Sequence, residues 1–191
     1  MANIAIVYFS GYGHTKKQAE ALYEGAASAS GAKATLYAID AEGNLSDEVW
    51  TALDQADAIV YGSPTYMGGP AWQFKKFADA SSKRWFGSAW KDKVAGGFTN
   101  SASVNGDKFN TITYFVTLAM QHSQIWIGTG LMPANTKAHG PNDINWTAGS
   151  TGALAISPSD ASPDEAPRKG DLDTARHYGK RVADYAVKTK S

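Results

Sequence analysis

Two rhythms of apolar and polar residues run along the chain. Asn3 to Phe9 is a short, nearly continuous apolar run, as expected of a central parallel strand covered on both faces. After the small polar turn Ser10 to Thr15, Ala19, Leu22, Tyr23 and Ala26 fall at helical spacing, and the helix should stop near Gly31. Ala34 to Ile39 predicts a second strand, and Ser46, followed by Asp47 and Glu48, caps a short helix reaching about Gln55. Ala56 to Gly62 predicts a third strand, and Trp72, Phe74, Phe77 and Ala78 return to helical spacing. Val94 to Thr99 predicts a fourth strand. Asp107 to Gln121 predicts a helix with Ile112, Phe115, Val116 and Ala119 on one side.

The last third breaks the pattern. Ile125 to Ile127 is apolar, but the next 43 residues, Gly128 to Gly170, are rich in Gly, Pro, Ser and Asn. They hold one further apolar patch, Ala153 to Ile156. A structureless loop of that length is unusual in a compact domain. The economical reading is a fifth strand split into Ile125 to Ile127 and Ala153 to Ile156, with an excursion between the halves. A final helix follows, Asp171 to about Lys188, burying Leu172, Ala175, Val182, Ala183 and Ala186. Strands alternating with helices predict an α/β fold, a doubly wound five-stranded parallel sheet in three layers. The 191 residues suffice for one such domain.

Composition narrows the function classes. Eighteen basic and eighteen acidic residues cancel without a long block of either sign. The field that draws a protein to nucleic acid or an anionic membrane is missing, so neither is expected as a partner. With no cysteine, thiol nucleophiles, disulfides and Cys-ligated metals are excluded, and redox chemistry would have to come from a bound cofactor. No metal site is expected. The N-terminus shows no signal-peptide pattern and no stretch approaches ~18 apolar residues, so a soluble cytoplasmic protein is expected.

Doubly wound sheets bind ligands at the carboxyl ends of their strands, which directs attention to three loops. Ser10-Gly11-Tyr12-Gly13-His14-Thr15 combines two hydroxyls with backbone donors at a helix N-terminus, a cradle for phosphate. It lacks the Gly-Lys-Ser/Thr of a nucleotide triphosphatase loop, and position 16 is Lys where a dinucleotide fingerprint has its third glycine. The loop after the third strand, with Pro64, Thr65, Tyr66, Met67 and Gly68, can lie against a flat ring. The loop after the fourth, with Thr99, Asn100, Ser101, Ala102 and Gly106, is small and polar. Taken singly, each also reads as an ordinary turn or packing loop; together they offer a phosphate site, a ring platform and a polar edge.

With these residues in hand, the chain resembles flavodoxin-like NAD(P)H:quinone oxidoreductases of the tryptophan-repressor-binding-protein (WrbA-like) group, close to the NADPH-dependent FMN reductases. The likeness runs through Tyr8 to His14, Gly62 to Tyr66, Phe98 to Thr111, Gln121-His122-Ser123 and Ala175 to Gly179. It implies a flavodoxin-like sheet of strand order 2-1-3-4-5 and a single FMN-binding domain over residues 1–191. FMN phosphate would lie at Ser10, Gly11, Tyr12, Gly13, His14 and Thr15, the ring against Pro64, Thr65, Tyr66, Met67 and Gly68, and the pyrimidine edge at Thr99, Asn100, Ser101, Ala102 and Gly106. His122 corresponds to a histidine near the flavin and is the candidate catalytic residue. Trp85 matches a tryptophan that reaches a neighbouring subunit's site, which implies a homo-oligomer, dimer or tetramer. The expected function is electron transfer from NAD(P)H, through FMN, to a quinone or similar flat acceptor. The alternative is a flavodoxin-type electron carrier that binds FMN without direct NAD(P)H turnover. A non-catalytic flavin-binding protein is a third class.

The remaining readings concern tryptophans and charge. Trp50 and Trp126 are expected to pack in the core or under a helix, and Trp72, Trp85, Trp90 and Trp146 to wall a pocket or an interface. Asp160 to Pro167 reads as an exposed linker.

Overall fold

In the computed structural model, which describes residues 1–190, the elements run β1 (Ala2–Tyr8), α1 (His14–Ala27), β2 (Ala32–Ala38), α2 (Asp47–Gln55), β3 (Ala58–Tyr66), β4 (Gly69–Pro70), α3 (Trp72–Ala80), α4 (Ser82–Phe86), β5 (Val94–Ser101), α5 (Lys108–Gln121), β6 (Ile125–Trp126), β7 (Ala153–Ile156) and α6 (Lys169–Lys190). The principal sheet pairings are parallel, in the order β2-β1-β3-β5-β6, with β7 also on β5; β4 adds a short antiparallel hairpin to β3. The fourth predicted strand is β5, and the flavodoxin-like order expected from the resemblance is the one found.

Strand alternation divides the core. Ile4, Ile6 and Tyr8 of β1 point to one face, where α1 and α6 supply Leu22, Ala26, Ala175, Tyr178 and Val182. Ala5, Val7 and Phe9 point to the other, beneath Trp50, Leu53, Phe74, Phe77 and Phe115 from α2, α3 and α5. Side chains of adjacent residues leave a strand on opposite faces, so a strand covered on both must be apolar throughout. β5 is buried along its whole length. Each fully buried large aliphatic or aromatic side chain contributes about 1.5–3 kcal/mol relative to exposure. Trp90, expected at a pocket wall or interface, is instead fully buried in the second core, stacked with Trp50 and Phe77.

The fifth strand is split as expected. Ile125 and Trp126 pair with Val94 and Ala95, and Ala153 to Ile156 pair with Phe98 to Ser101. The excursion closes on itself: Thr129 N donates to Ser150 O at 2.9 Å, and buried Asn145 donates from Nδ2 to the carbonyls of Leu131 and Met132. At the gap, α6 repairs the ladder. The Tyr178 hydroxyl donates to Ile127 O at 2.5 Å and accepts from Gly97 N at 3.2 Å. α6 also packs closely on α1, where a Cβ on Gly179 would come within 1.9 Å of Leu22 O and one on Gly25 within 1.8 Å of Arg176 O.

His122 requires a correction. α5 starts beyond the carboxyl end of β5 and runs back, so His122 lies beside the start of β5, where Asp92 N donates to Ser123 O. The eight residues of β5 separate the two ends by about 25 Å at ~3.3 Å per residue. His122 is buried, its ring 4.4 Å from that of Trp90 and its Nε2 2.8 Å from Ser81 Oγ. Within one chain it is a packing residue, far from the carboxyl-end loops.

Two predictions follow from this packing. Tyr178→Phe strands a buried N–H and C=O at the split strand, which should cost about 1–3 kcal/mol in urea denaturation; an unchanged midpoint would mean the hydroxyl is not bridging the gap. Burial holds the His122 imidazole down to about 4, below the ~6.5 of an unfolded chain. The unfolded state takes the proton first, so this contribution is complete above pH ~6.5 and is lost as pH falls toward about 4. His122→Gln should therefore flatten the loss of stability over that window. Asp171, raised by burial to about 6, acts with the opposite sign and is common to both proteins.

Candidate functional site

The carboxyl ends of β1, β3, β5 and β7 converge on a cavity of about 520 Å³, within the range of ligand pockets. Its floor at β1 is the turn into α1. Gly13 adopts φ 92°, a left-handed conformation suited to glycine, at the N-cap of α1, so the chain turns sharply from the loop into the helix. The Ser10 hydroxyl accepts the Lys16 N–H at 3.1 Å, fixing the turn. Thr15 lines the cavity with a side chain 1% exposed, and its Oγ1 is buried without a hydrogen-bond partner. A buried hydroxyl left unpaired costs about 1–3 kcal/mol, so its position at a helix N-terminus matches an anionic oxygen arriving with a ligand.

The β3 side is built from rigid hydrogen bonding. The Ser63 hydroxyl donates to Pro64 O at 2.9 Å and accepts from Ala71 N at 2.9 Å, tying the strand end to the start of α3. Thr99 Oγ1 donates to Ser63 O at 2.7 Å, so it accepts from Thr65 Oγ1 at 2.8 Å. Thr65 in turn accepts from Thr111 Oγ1 at 2.8 Å. With its one proton committed, Thr65 can offer the cavity only a lone pair, and it suits a ligand N–H. Tyr66 meets Tyr12 edge to face at 6.1 Å, and the two rings form a partly exposed aromatic rim.

Asn100, Ser101 and Ala102 form the wall from β5, and the Asn100 side-chain oxygen accepts from Ser157 Oγ at 2.9 Å. The opposite wall was not legible as such in the sequence. Ser157, Pro158, Ser159, Ala161 and Pro163 line the cavity, so the first part of the expected linker Asp160 to Pro167 is pocket wall. His14 pins it: its Nε2 lies 2.9 Å from Ala161 O, and Lys17 pairs with Asp164 at 3.1 Å. The usable signal was position, since this segment directly follows a strand in a doubly wound sheet.

The structure thus brings Tyr12, His14, Thr15, Pro64, Thr65, Tyr66, Asn100, Ser101 and Ala102 together around one cavity. Ser10, Gly11 and Gly13 shape the first loop behind them, a Cβ on Gly11 meeting Tyr66 Oη at 2.5 Å. Thr99 is fully buried beneath Thr65, and Gly106 packs against Ser101 Oγ. Met67 is fully exposed on a turn at φ 47° beside Gly68, at the outer edge. Among the described residues, the lining has no Asp, Glu, Lys or Arg side chain. Among the described residues, no cluster of His, Asp and Glu could hold a metal ion, and no helix is long and apolar enough to cross a membrane.

The chain is similar in sequence and fold to known proteins. The family model for NADPH-dependent FMN reductases matches residues 13–127. A protein of Pseudomonas aeruginosa named flavodoxin FldP is 54% identical over 183 residues, covering 96% of both chains. An NAD(P)H dehydrogenase (quinone) of Solidesulfovibrio magneticus is 31% identical over 202 residues, covering 95% of this chain and 96% of its own. Among solved structures, a flavodoxin, WrbA-like protein from Agrobacterium tumefaciens superposes with a TM-score of 0.78 at 52% identity, over 97% of this chain and 98% of that one. A flavodoxin from the domain Archaea, 17% identical, shares the fold with a TM-score of 0.62 over 96% of this chain and 98% of its own. The chain belongs to the NADPH-dependent FMN reductase family.

Proposed function

We propose that the cavity binds FMN and that the protein passes electrons from NAD(P)H to a quinone or similar flat acceptor. The observation that carries the reading is the unpartnered Thr15 hydroxyl, buried in the cavity at the N-terminus of α1. The residues fit the group: the turn Ser10 to Thr15 offers N–H and hydroxyl donors to a phosphate, Thr65 offers a lone pair to a ring N–H, and Tyr12 and Tyr66 offer an aromatic rim. The chemistry FMN supplies when bound is hydride acceptance from a nicotinamide and electron delivery to an acceptor.

The chain's own part is positioning. α1 aligns its dipole with the phosphate, the Thr111-Thr65-Thr99 hydroxyl chain fixes the side chain that meets the ring, and the Ser157 to Pro163 wall screens one flank from water. The exposed aromatic rim leaves a way in for a flat molecule. Among the described residues lining the cavity, His14 is the one ionisable group besides the tyrosines that could carry a proton, and its Nε2 is engaged with Ala161 O. Exposed Trp85 and Phe86 flank the hollow over His122 and supply an apolar face for a second copy of the chain, consistent with a homo-oligomer. A carrier that exchanges electrons with protein partners without taking hydride from NAD(P)H is the second reading, favoured by the name of the 54% identical relative.

The purified protein titrated with FMN, then NADPH and benzoquinone, tests the reading. Flavin absorbance that bleaches with NADPH and recovers with quinone is expected; absorbance that never bleaches selects the carrier, and no FMN binding overturns both. Thr15→Val should weaken FMN about 10- to 100-fold, the effect of losing a hydrogen bond to a charged group.

A further inference from the structure

Lys108 opens α5, where the helix dipole disfavours a cation. It is 1% exposed. Its Nζ donates to Ser101 Oγ at 2.8 Å, Ser103 O at 2.8 Å and Val104 O at 2.9 Å. All three protons are thus spent on neutral atoms of the loop that walls the cavity, two of whose members, Ser101 and Ala102, line it. Among the described residues no carboxylate forms an ion pair with it. Asp171 acts on it only through the field, its own Oδ2 accepting the Ile156 N–H at 2.9 Å. A buried cation at the wrong helix end, without an ion-pair partner, is costly. Burial accordingly holds its ammonium down to about 8. An apolar side chain of similar length would fill the space without that penalty.

We propose that Lys108 is a positioning residue for the flavin, holding the Ser101 to Val104 loop in shape and lending its positive charge to the cavity so that the reduced, more negative form of FMN is favoured over the oxidised one. The inference rests on the FMN reading and sharpens it. Protein charge near a flavin ring tunes its electronics. A cation behind the loop that faces the ring attracts negative charge accumulating on reduction, and the burial of Lys108 itself limits how far solvent screens that attraction. Such a bias suits a protein that takes two electrons from NAD(P)H. Asp171 opposes it: its carboxylate lies within the field of Lys108 and partly offsets the cation.

The experiment is a redox titration of the FMN-loaded protein, with the affinity for oxidised FMN measured alongside, on wild type, Lys108→Met and Asp171→Asn. Lys108→Met should lose at least tenfold more affinity for reduced than for oxidised FMN, lowering the two-electron midpoint by about 30 mV or more. Asp171→Asn should shift the midpoint the other way, and it keeps the proposal testable should Lys108→Met fail to fold. Equal loss of affinity for both redox forms in Lys108→Met, or midpoints unmoved in the variants that fold, would reduce Lys108 to a loop brace and overturn the inference while leaving FMN binding intact. A wild-type protein that takes up no FMN would overturn the function reading and this inference together.

Discussion

Parallel strands joined by helical crossovers on both faces of a sheet must be apolar on both sides, and the rest of this molecule depends on that constraint. Ile4, Ile6 and Tyr8 face one helical layer while Ala5, Val7 and Phe9 face the other, so β1 has no polar position to spare along its buried length. Each crossover then delivers a loop at the carboxyl end. Four of those loops, after β1, β3, β5 and β7, meet around one cavity. The same rule takes α5 back to the opposite end and removes His122 from it.

The cavity works with dipoles and hydroxyls in place of charged side chains at its surface. Backbone N–H groups at the start of α1, an unpartnered Thr15 hydroxyl and the oriented threonine chain at Thr65 are fixed before any ligand arrives. Preorganisation of this kind is what a cofactor-binding protein contributes, since the cofactor carries the reaction. Lys108 adds a charge, held one layer back and buried behind a neutral loop.

Much of this was legible in the sequence because burial on both faces writes an unbroken apolar run. β1, β3 and β5 announced themselves so, and the split of the last strand followed from the improbability of a 43-residue loop. The loops were legible because their small, hydroxyl-bearing residues directly follow strands. Four features were not. Lys108 looks like any lysine at the start of a helix, and only its three-dimensional contacts show it buried. Ser157 to Pro163 has the composition of a linker, and the His14 contact with Ala161 that makes it a wall spans 147 residues. His122 was placed by likeness of sequence, which does not record the end of the sheet a residue occupies. Trp90 misled in the same way, a large aromatic among polar neighbours whose partners Trp50 and Phe77 are remote in sequence.

The central claim is that this one cavity, at the carboxyl ends of four strands, receives FMN. The most direct measurement is a crystal structure of the protein grown with FMN. The account predicts phosphate density at the N-terminus of α1 within hydrogen-bond reach of Thr15 Oγ1, with the ring between the Tyr66 and Ser101 walls. Flavin density at another surface, or phosphate away from Thr15, would contradict it.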